Sequence, residues 1–170
     1  MPDAAAIDLI PLSAAAPAAI EALLDRAFGP DRRARTAYRV RGGAPPIPEL
    51  SFAAMDTDVL VGSIQCWPVR FRAEAGGETQ LVMVGPVAVA PERQRHGLGR
   101  RLMERALAAA GTQGCADRLM LIGDPEYYGR FFGFSSARTG SWRLPGPVER
   151  HRLLARGAAV PEGAGELGPV

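Results

Sequence analysis

Val87-Ala88-Val89-Ala90-Pro91-Glu92-Arg93-Gln94-Arg95-His96-Gly97-Leu98-Gly99-Arg100-Arg101-Leu102 is the stretch whose reading decides the fold. Small apolar residues close a strand and Pro91 stops it. After it, Leu98, Leu102, Met103, Ala106, Leu107 and Ala110 recur at helical spacing. Between strand and helix lies Gln94-x-x-Gly97-x-Gly99. Glycines there let the backbone turn and come close to a ligand. The first turn of a helix leaves N–H groups without partners, and the macrodipole adds about half a positive charge. The junction therefore suits a diphosphate, with Arg95 and Arg100 as added cations. His96 reads as a ligand-facing or exposed side chain of the same turn.

Working outward, Ile7 to Leu12 reads as a first strand, and Pro17 opens an amphipathic helix through Phe28 that Gly29-Pro30 stops. Asp31 to Tyr38 extends as a second short helix, and Arg41-Gly42-Gly43-Ala44-Pro45-Pro46 is a loop. Leu50 to Met55, Val59 to Arg72 and Gln80 to Ala90 form an antiparallel meander. Pro86 sits inside its last strand beside Gly85. A proline donates no ladder hydrogen bond, so the strand should bulge or splay there and free backbone groups for a ligand. After the helix come a buried strand over Arg118 to Ile122, a short aromatic helix opened by Pro125 and ended by Gly133-Phe134, and a late strand, Ser141 to Leu144. The expected class is α/β (α+β), a mixed sheet with helices on its faces. At 170 residues and 47% hydrophobic content, one domain over residues 1–155 is expected, with 156–170 a Gly-, Ala- and Pro-rich loose tail.

Composition narrows the function. Twenty Lys+Arg against 18 Asp+Glu gives a net charge of +2, which argues for neither a nucleic-acid nor a membrane-surface binder. The clustered cations Arg93, Arg95, Arg100, Arg101 and Arg105, opposed by Glu104 alone, mark an anion-attracting patch or simply a solvated helix face. They lack interleaved aromatics, so nucleic-acid binding through them is weakly supported. Cys66 and Cys115 match no metal or redox spacing, and no metal is expected. The Met-Pro-Asp start and the absence of an apolar run of about 20 residues lead to the expectation of a cytoplasmic protein with no membrane partner.

A dinucleotide-binding turn competes for the glycine pair, but its fingerprint carries a third glycine or alanine and sits in the first strand–helix unit, not after a meander. The stretch Val87 to Leu102 resembles the acetyl-CoA motif of the GNAT superfamily of N-acetyltransferases, whose core Gln/Arg-x-x-Gly-x-Gly/Ala is complete here. Tyr127-Tyr128-Gly129-Arg130-Phe131-Phe132-Gly133-Phe134 is similar to the family's later aromatic helix. The resemblance implies a GNAT-like, mostly antiparallel central sheet with helices on both faces, and acetyl-CoA as acetyl donor. It also implies pairing of the pantetheine arm with the backbone of Val87, Ala88 and Val89. The pyrophosphate then falls to Gln94, Arg95, His96, Gly97, Leu98, Gly99 and Arg100.

The family often uses a tyrosine of the aromatic helix to protonate the leaving thiolate, which here means Tyr128, with Tyr127 second. The usual spacing is Tyr-Tyr-x-Arg-Phe-Gly-Phe, and this chain carries one additional Phe. One added residue rotates a helix by about 100° unless a bulge absorbs it. Tyr127, Tyr128, Phe131 and Phe132 read equally as core and pocket wall. Met83, Val84 and Gly85 offer no general base. Glu49, Asp56, Asp124 and Glu126 are candidates by position only, and a water relay is the alternative. His151 reads as structural or exposed; Trp67 lines the acceptor site or, more commonly for a strand aromatic, the core. The partner is a small-molecule or peptide amine, and assembly is open, a homodimer included. A non-catalytic acyl-CoA-binding regulatory module is the competing function.

Overall fold

A computed structural model describes residues 6–170. Among the described residues eight strands form one mostly antiparallel sheet, in the path β1-β2-β3-β4-β5-β7, with β8 pairing β3 and β6. The mixed α/β class read from the sequence is the observed one. The chain divides into two compact units: the first holds the chain to Arg33, Pro46–Cys66 and Gly85–Gln113, the second Ala34–Pro45, Trp67–Val84 and Gly114–Val170.

In the first unit, β1 (Ile7–Pro11) pairs antiparallel with β2 (Phe52–Asp56), and β2 with the start of β3 (Val59–Ala73). Asp56 faces Val59 across a two-residue turn, with Thr57 at φ 55°. Helix α1 (Pro17–Phe28) starts on its proline, buries Ile20, Leu23 and Leu24, and ends at Gly29, φ 93°. Arg32, only 1% exposed, folds back onto α1, bonding Asp25 at 2.8 Å and pairing with Glu21. Helix α3 (Leu98–Thr112) buries Leu98, Leu102, Met103 and Ala106. It lies so close to β3 that a Cβ on Gly62 would stand 3.1 Å from Leu102 and 3.2 Å from Leu98.

The second unit holds α2 (Thr36–Arg41), β5 (Leu119–Ile122), α4 (Pro125–Phe132), β6 (Trp142–Arg143), β7 (Leu153–Arg156) and β8 (Gly165–Pro169). Its core gathers Trp67, Phe71, Met83, Met120, Trp142 and Leu153, with the Phe71 and Trp142 rings 4.8 Å apart. Strand β4 (Glu78–Val89) runs parallel to β5, yet only Val82 and Met83 pair with it, against Leu119 and Met120. The Gly85–Pro86 peptide is cis.

Three sequence readings need correction. The second helix is a 3₁₀ turn at Arg32–Ala34 followed by α2, because Arg32 leaves the helical path to bond α1. A boundary after residue 155 would cut β7, which pairs with β5. The loose tail is instead ordered. β8 pairs antiparallel with β3, Val69 opposite Pro169 and Ala73 opposite Gly165, and Leu167 is buried. Glycine enters that strand because a Cβ on Gly165 would lie 2.4 Å from both the Phe71 ring and the Arg72 carbonyl oxygen. Among the described residues no helix is long and apolar enough to cross a membrane.

Gly165→Val should destabilise the protein by about 1–3 kcal/mol, the usual cost of overpacking. Urea unfolding measures it, and an unchanged midpoint would mean that β8 is not packed on Phe71.

Candidate active site

Beyond Pro91–Arg93, a 3₁₀ turn, the chain reaches Gln94, Arg95, His96 and Gly97, all exposed, and enters α3. Gly97 caps the helix in the left-handed region, φ 76° and ψ 8°, and a Cβ there would meet no atom of the chain. Its requirement for glycine is thus conformational. Arg95, φ 73°, holds the same rare conformation with a full side chain, a cost of about 1–3 kcal/mol that clusters at ligand sites. Gly99 differs. A Cβ there would stand 3.7 Å from Val89 and 3.8 Å from Val87, an ordinary contact, so packing within the chain does not demand glycine. Leu98 sends its side chain into the core, over Gly62.

The turn is tied to three neighbours in its unit. Arg93 pairs with Asp56 at the end of β2, Glu92 bonds Arg26 of α1 at 2.7 Å, and Arg101 donates to the Ile7 carbonyl at 3.1 Å. A backbone hydrogen bond, with Arg26 assisting, holds the Glu92 carboxyl below the usual carboxylate range. Gln94 Nε2 reaches the Val89 carbonyl at 3.5 Å. Most of the arginine patch is thereby committed: Arg100 bonds Glu104 at 3.1 Å, and Arg105 lies 4.6 Å above the Phe52 ring. Arg95 and His96 make no side-chain hydrogen bond or ion pair among the described residues. The Arg93–Asp56 partnership spans 37 positions and has no local signal in the sequence.

In the second unit, Asp124 caps α4 by accepting from the Glu126 N–H at 3.0 Å, and Pro125 opens the helix. Helix α4 runs without a bulge through the additional aromatic. Phe131 turns outward, 43% exposed, while Phe132 and Phe134 are buried. Gly133, φ 73°, closes α4 with its N–H on the Gly129 carbonyl and that of Phe134 on Tyr128. Tyr128 packs flat over Gly123, where a Cβ would sit 2.6 Å from the ring. Its edge meets Tyr127 with centroids 5.0 Å apart. Burial first, then Tyr127, pushes the Tyr128 hydroxyl up to about 12.

The base candidates disperse. Asp56 serves Arg93 and Asp124 serves the cap; Glu49 and Glu126 are exposed. Trp67 belongs to the core, with the Arg41 guanidinium 3.8 Å above its ring and 3.7 Å from that of Tyr38. Cys66 is buried, and burial pushes the Cys115 thiol up. His151 is exposed beside Glu149. Among the described residues no three His, Cys, Asp or Glu side chains converge as a metal site.

Comparison with known proteins gives a consistent result. The chain is similar to a GNAT family N-acetyltransferase, YhbS, of Escherichia coli, solved with CoA: 25% identity over 95% of this chain and 88% of that one, TM-score 0.67. A GNAT family acetyltransferase from Brucella melitensis, solved with acetyl-CoA, shares 25% identity over 90% and 97% of the two chains, TM-score 0.54. The ribosomal-protein-S18-alanine N-acetyltransferase of E. coli shares the fold at 18% identity, covering 88% and 89%, TM-score 0.52. No curated protein sequence matches significantly. The model of the acetyltransferase (GNAT) family matches residues 18–134, well over half the chain, and the protein belongs to that family.

Proposed function

We propose that this chain is an N-acetyltransferase that moves the acetyl group of acetyl-CoA directly to a primary amine of a small molecule, peptide or protein. The observation that carries the reading is the Gln94–Gly99 turn, with Gly97 left-handed at the start of α3 and open space where its Cβ would stand. The turn follows directly on β4, whose Pro86 donates no ladder hydrogen bond.

In this reading Gln94 to Arg100 hold the pyrophosphate through backbone N–H groups and through Arg95 and Arg100. The Arg100–Glu104 pair is exposed and such pairs are weak, so Arg100 parts from it readily. Val87, Ala88 and Val89 offer their backbone to the pantetheine arm. The amine nitrogen bonds to the acyl carbon as the carbon–sulfur bond breaks, so one proton must leave the ammonium and one must reach the departing sulfur. Tyr128, kept neutral by burial, serves the sulfur, with Tyr127 next to it as alternate. Gly85 to Val89 carry no carboxylate, so the ammonium proton leaves through water.

Gly97→Glu should weaken acetyl-CoA binding at least 100-fold, because a carboxylate and a side chain enter the phosphate turn at positive φ; unaltered affinity by calorimetry would remove the turn from the site. Thiol release across a panel of primary amines tests transfer, and tight coenzyme binding without turnover on any of them would make the chain a binding module.

For Tyr128→Phe, kcat should fall by roughly 100-fold with coenzyme affinity nearly intact. The hydroxyl keeps its proton to about 12, so the ratio of wild-type to variant rates should hold constant from pH 7 to about pH 10. A ratio that collapses within that window, or an equal rate at the outset, would take the role away from Tyr128.

A further inference from the structure

Two buried oxygens of the first unit have no hydrogen-bond partner among the described residues: Ser63 Oγ and Gln65 Oε1. Ser63 is 0% and Gln65 6% exposed. They stand two residues apart on β3 and so share a face. It is the face away from α3: Gly62 lies against Leu98 and Leu102, and Ile64 pairs with Phe52, whose ring lies under Arg105 of α3. β3 and β4 are neighbours in the sheet, joined by a tight turn in which the Ala73 N–H donates to the Gly77 carbonyl. At the other end, the Ala90 N–H donates to the Val61 carbonyl at 2.9 Å. Counting back along both strands from that bond sets Ser63 and Gln65 abreast of Gly85–Val89.

A buried oxygen without a partner is destabilising, and folded chains keep few of them. Two on one strand face, beside the segment assigned above to the acyl donor, call for a hydrogen-bond donor that no described residue supplies. An amide Oε1 is purely an acceptor with two lone pairs, and a serine hydroxyl also accepts. A primary ammonium brings three N–H donors and a charge that strengthens each bond.

We propose that Ser63 Oγ and Gln65 Oε1 receive the primary ammonium of the acceptor, an inference that rests on the amine-transfer reading above. They orient the nitrogen and do not deprotonate it, since an amide oxygen is too weak a base; the proton still leaves to water. Neither oxygen touches bulk solvent in the free chain, so the amine displaces what covers them when it docks.

A single enclosed water would satisfy the same two oxygens, and it makes the opposite prediction. The test is calorimetric titration of the CoA-saturated protein with n-butylammonium, using n-butanol as the uncharged control. The expected result is binding of the ammonium and not of the alcohol, weakened about 3-fold by Ser63→Ala and about 10-fold or more by Gln65→Leu. CoA affinity should stay within about 2-fold of wild type. Ser63→Ala guards against a misfolded Gln65→Leu, and Gln65→Glu, which keeps an oxygen at the site and adds negative charge, should restore binding. No binding to wild type, or equal affinity in wild type and the Ala and Leu variants, would overturn the assignment in favour of water. The titration involves no chemistry, so intact ammonium binding with no turnover on any amine would instead strike at the transfer reading.

Discussion

Strand β4 has two neighbours in the sheet, and Pro86 prevents it from serving both along its whole length. A proline has no N–H to donate, so at Pro86 the strand gives up one ladder hydrogen bond. On the β3 side the bond between Ala90 and Val61 holds its far end, and the chain passes from β4 directly into the glycine turn. The proposed donor site rests on that junction of a proline-interrupted strand with a helix start.

What keeps the turn in place is burial more than charge. The pairs Arg26–Glu92 and Arg100–Glu104 are exposed, and such pairs contribute about 0–1 kcal/mol each. Leu98, Leu102 and Met103 are essentially solvent-free, and each contributes about 1.5–3 kcal/mol on burial. The N-terminus of α3 is therefore fixed by its apolar stripe over Gly62, and the ion pairs adjust the turn that leads into it. This explains why an arginine-rich segment holds one geometry while the Arg95 and His96 side chains make no hydrogen bond or ion pair among the described residues.

The parts legible in the sequence were those whose signal is local. Glycine spacing, proline stops and helical periodicity located α1, α3, α4 and the meander to within a few residues, and the family motif is contiguous. The parts missed depend on distant neighbours. Gly165 and Gly168 look like loop composition, yet Gly165 is a strand residue because Phe71 occupies the place of its side chain. Arg93 looked like one more cation for an anion, and Asp56 claims it. The additional phenylalanine of the aromatic helix raised a question of phase that composition has no means of answering; in the folded chain Phe131 turns outward while Phe132 and Phe134 are buried. Ser63 and Gln65 did leave a trace, as polar residues alternating with Ile64 and Cys66 in an apolar strand, but alternation alone reads as a solvent face, and here that face is buried.

The environment of Tyr128 bears on the kind of help that residue gives in its proposed role. An alkyl thiol of ordinary acidity titrates near 8.5, whereas burial pushes Tyr128 to about 12. Complete proton transfer between them would run uphill by about 3–4 units, roughly 4–5 kcal/mol. A hydroxyl so placed does better by keeping its proton and donating a hydrogen bond to the sulfur as charge develops. A charge-assisted bond of this kind strengthens along the reaction while the hydroxyl stays neutral throughout. Solvent then completes the protonation after release. Burial of the ring over Gly123 and against Tyr127 accordingly favours a fixed donor over an exchangeable acid, and it is the packing of α4, more than the identity of the tyrosine alone, that makes that role available.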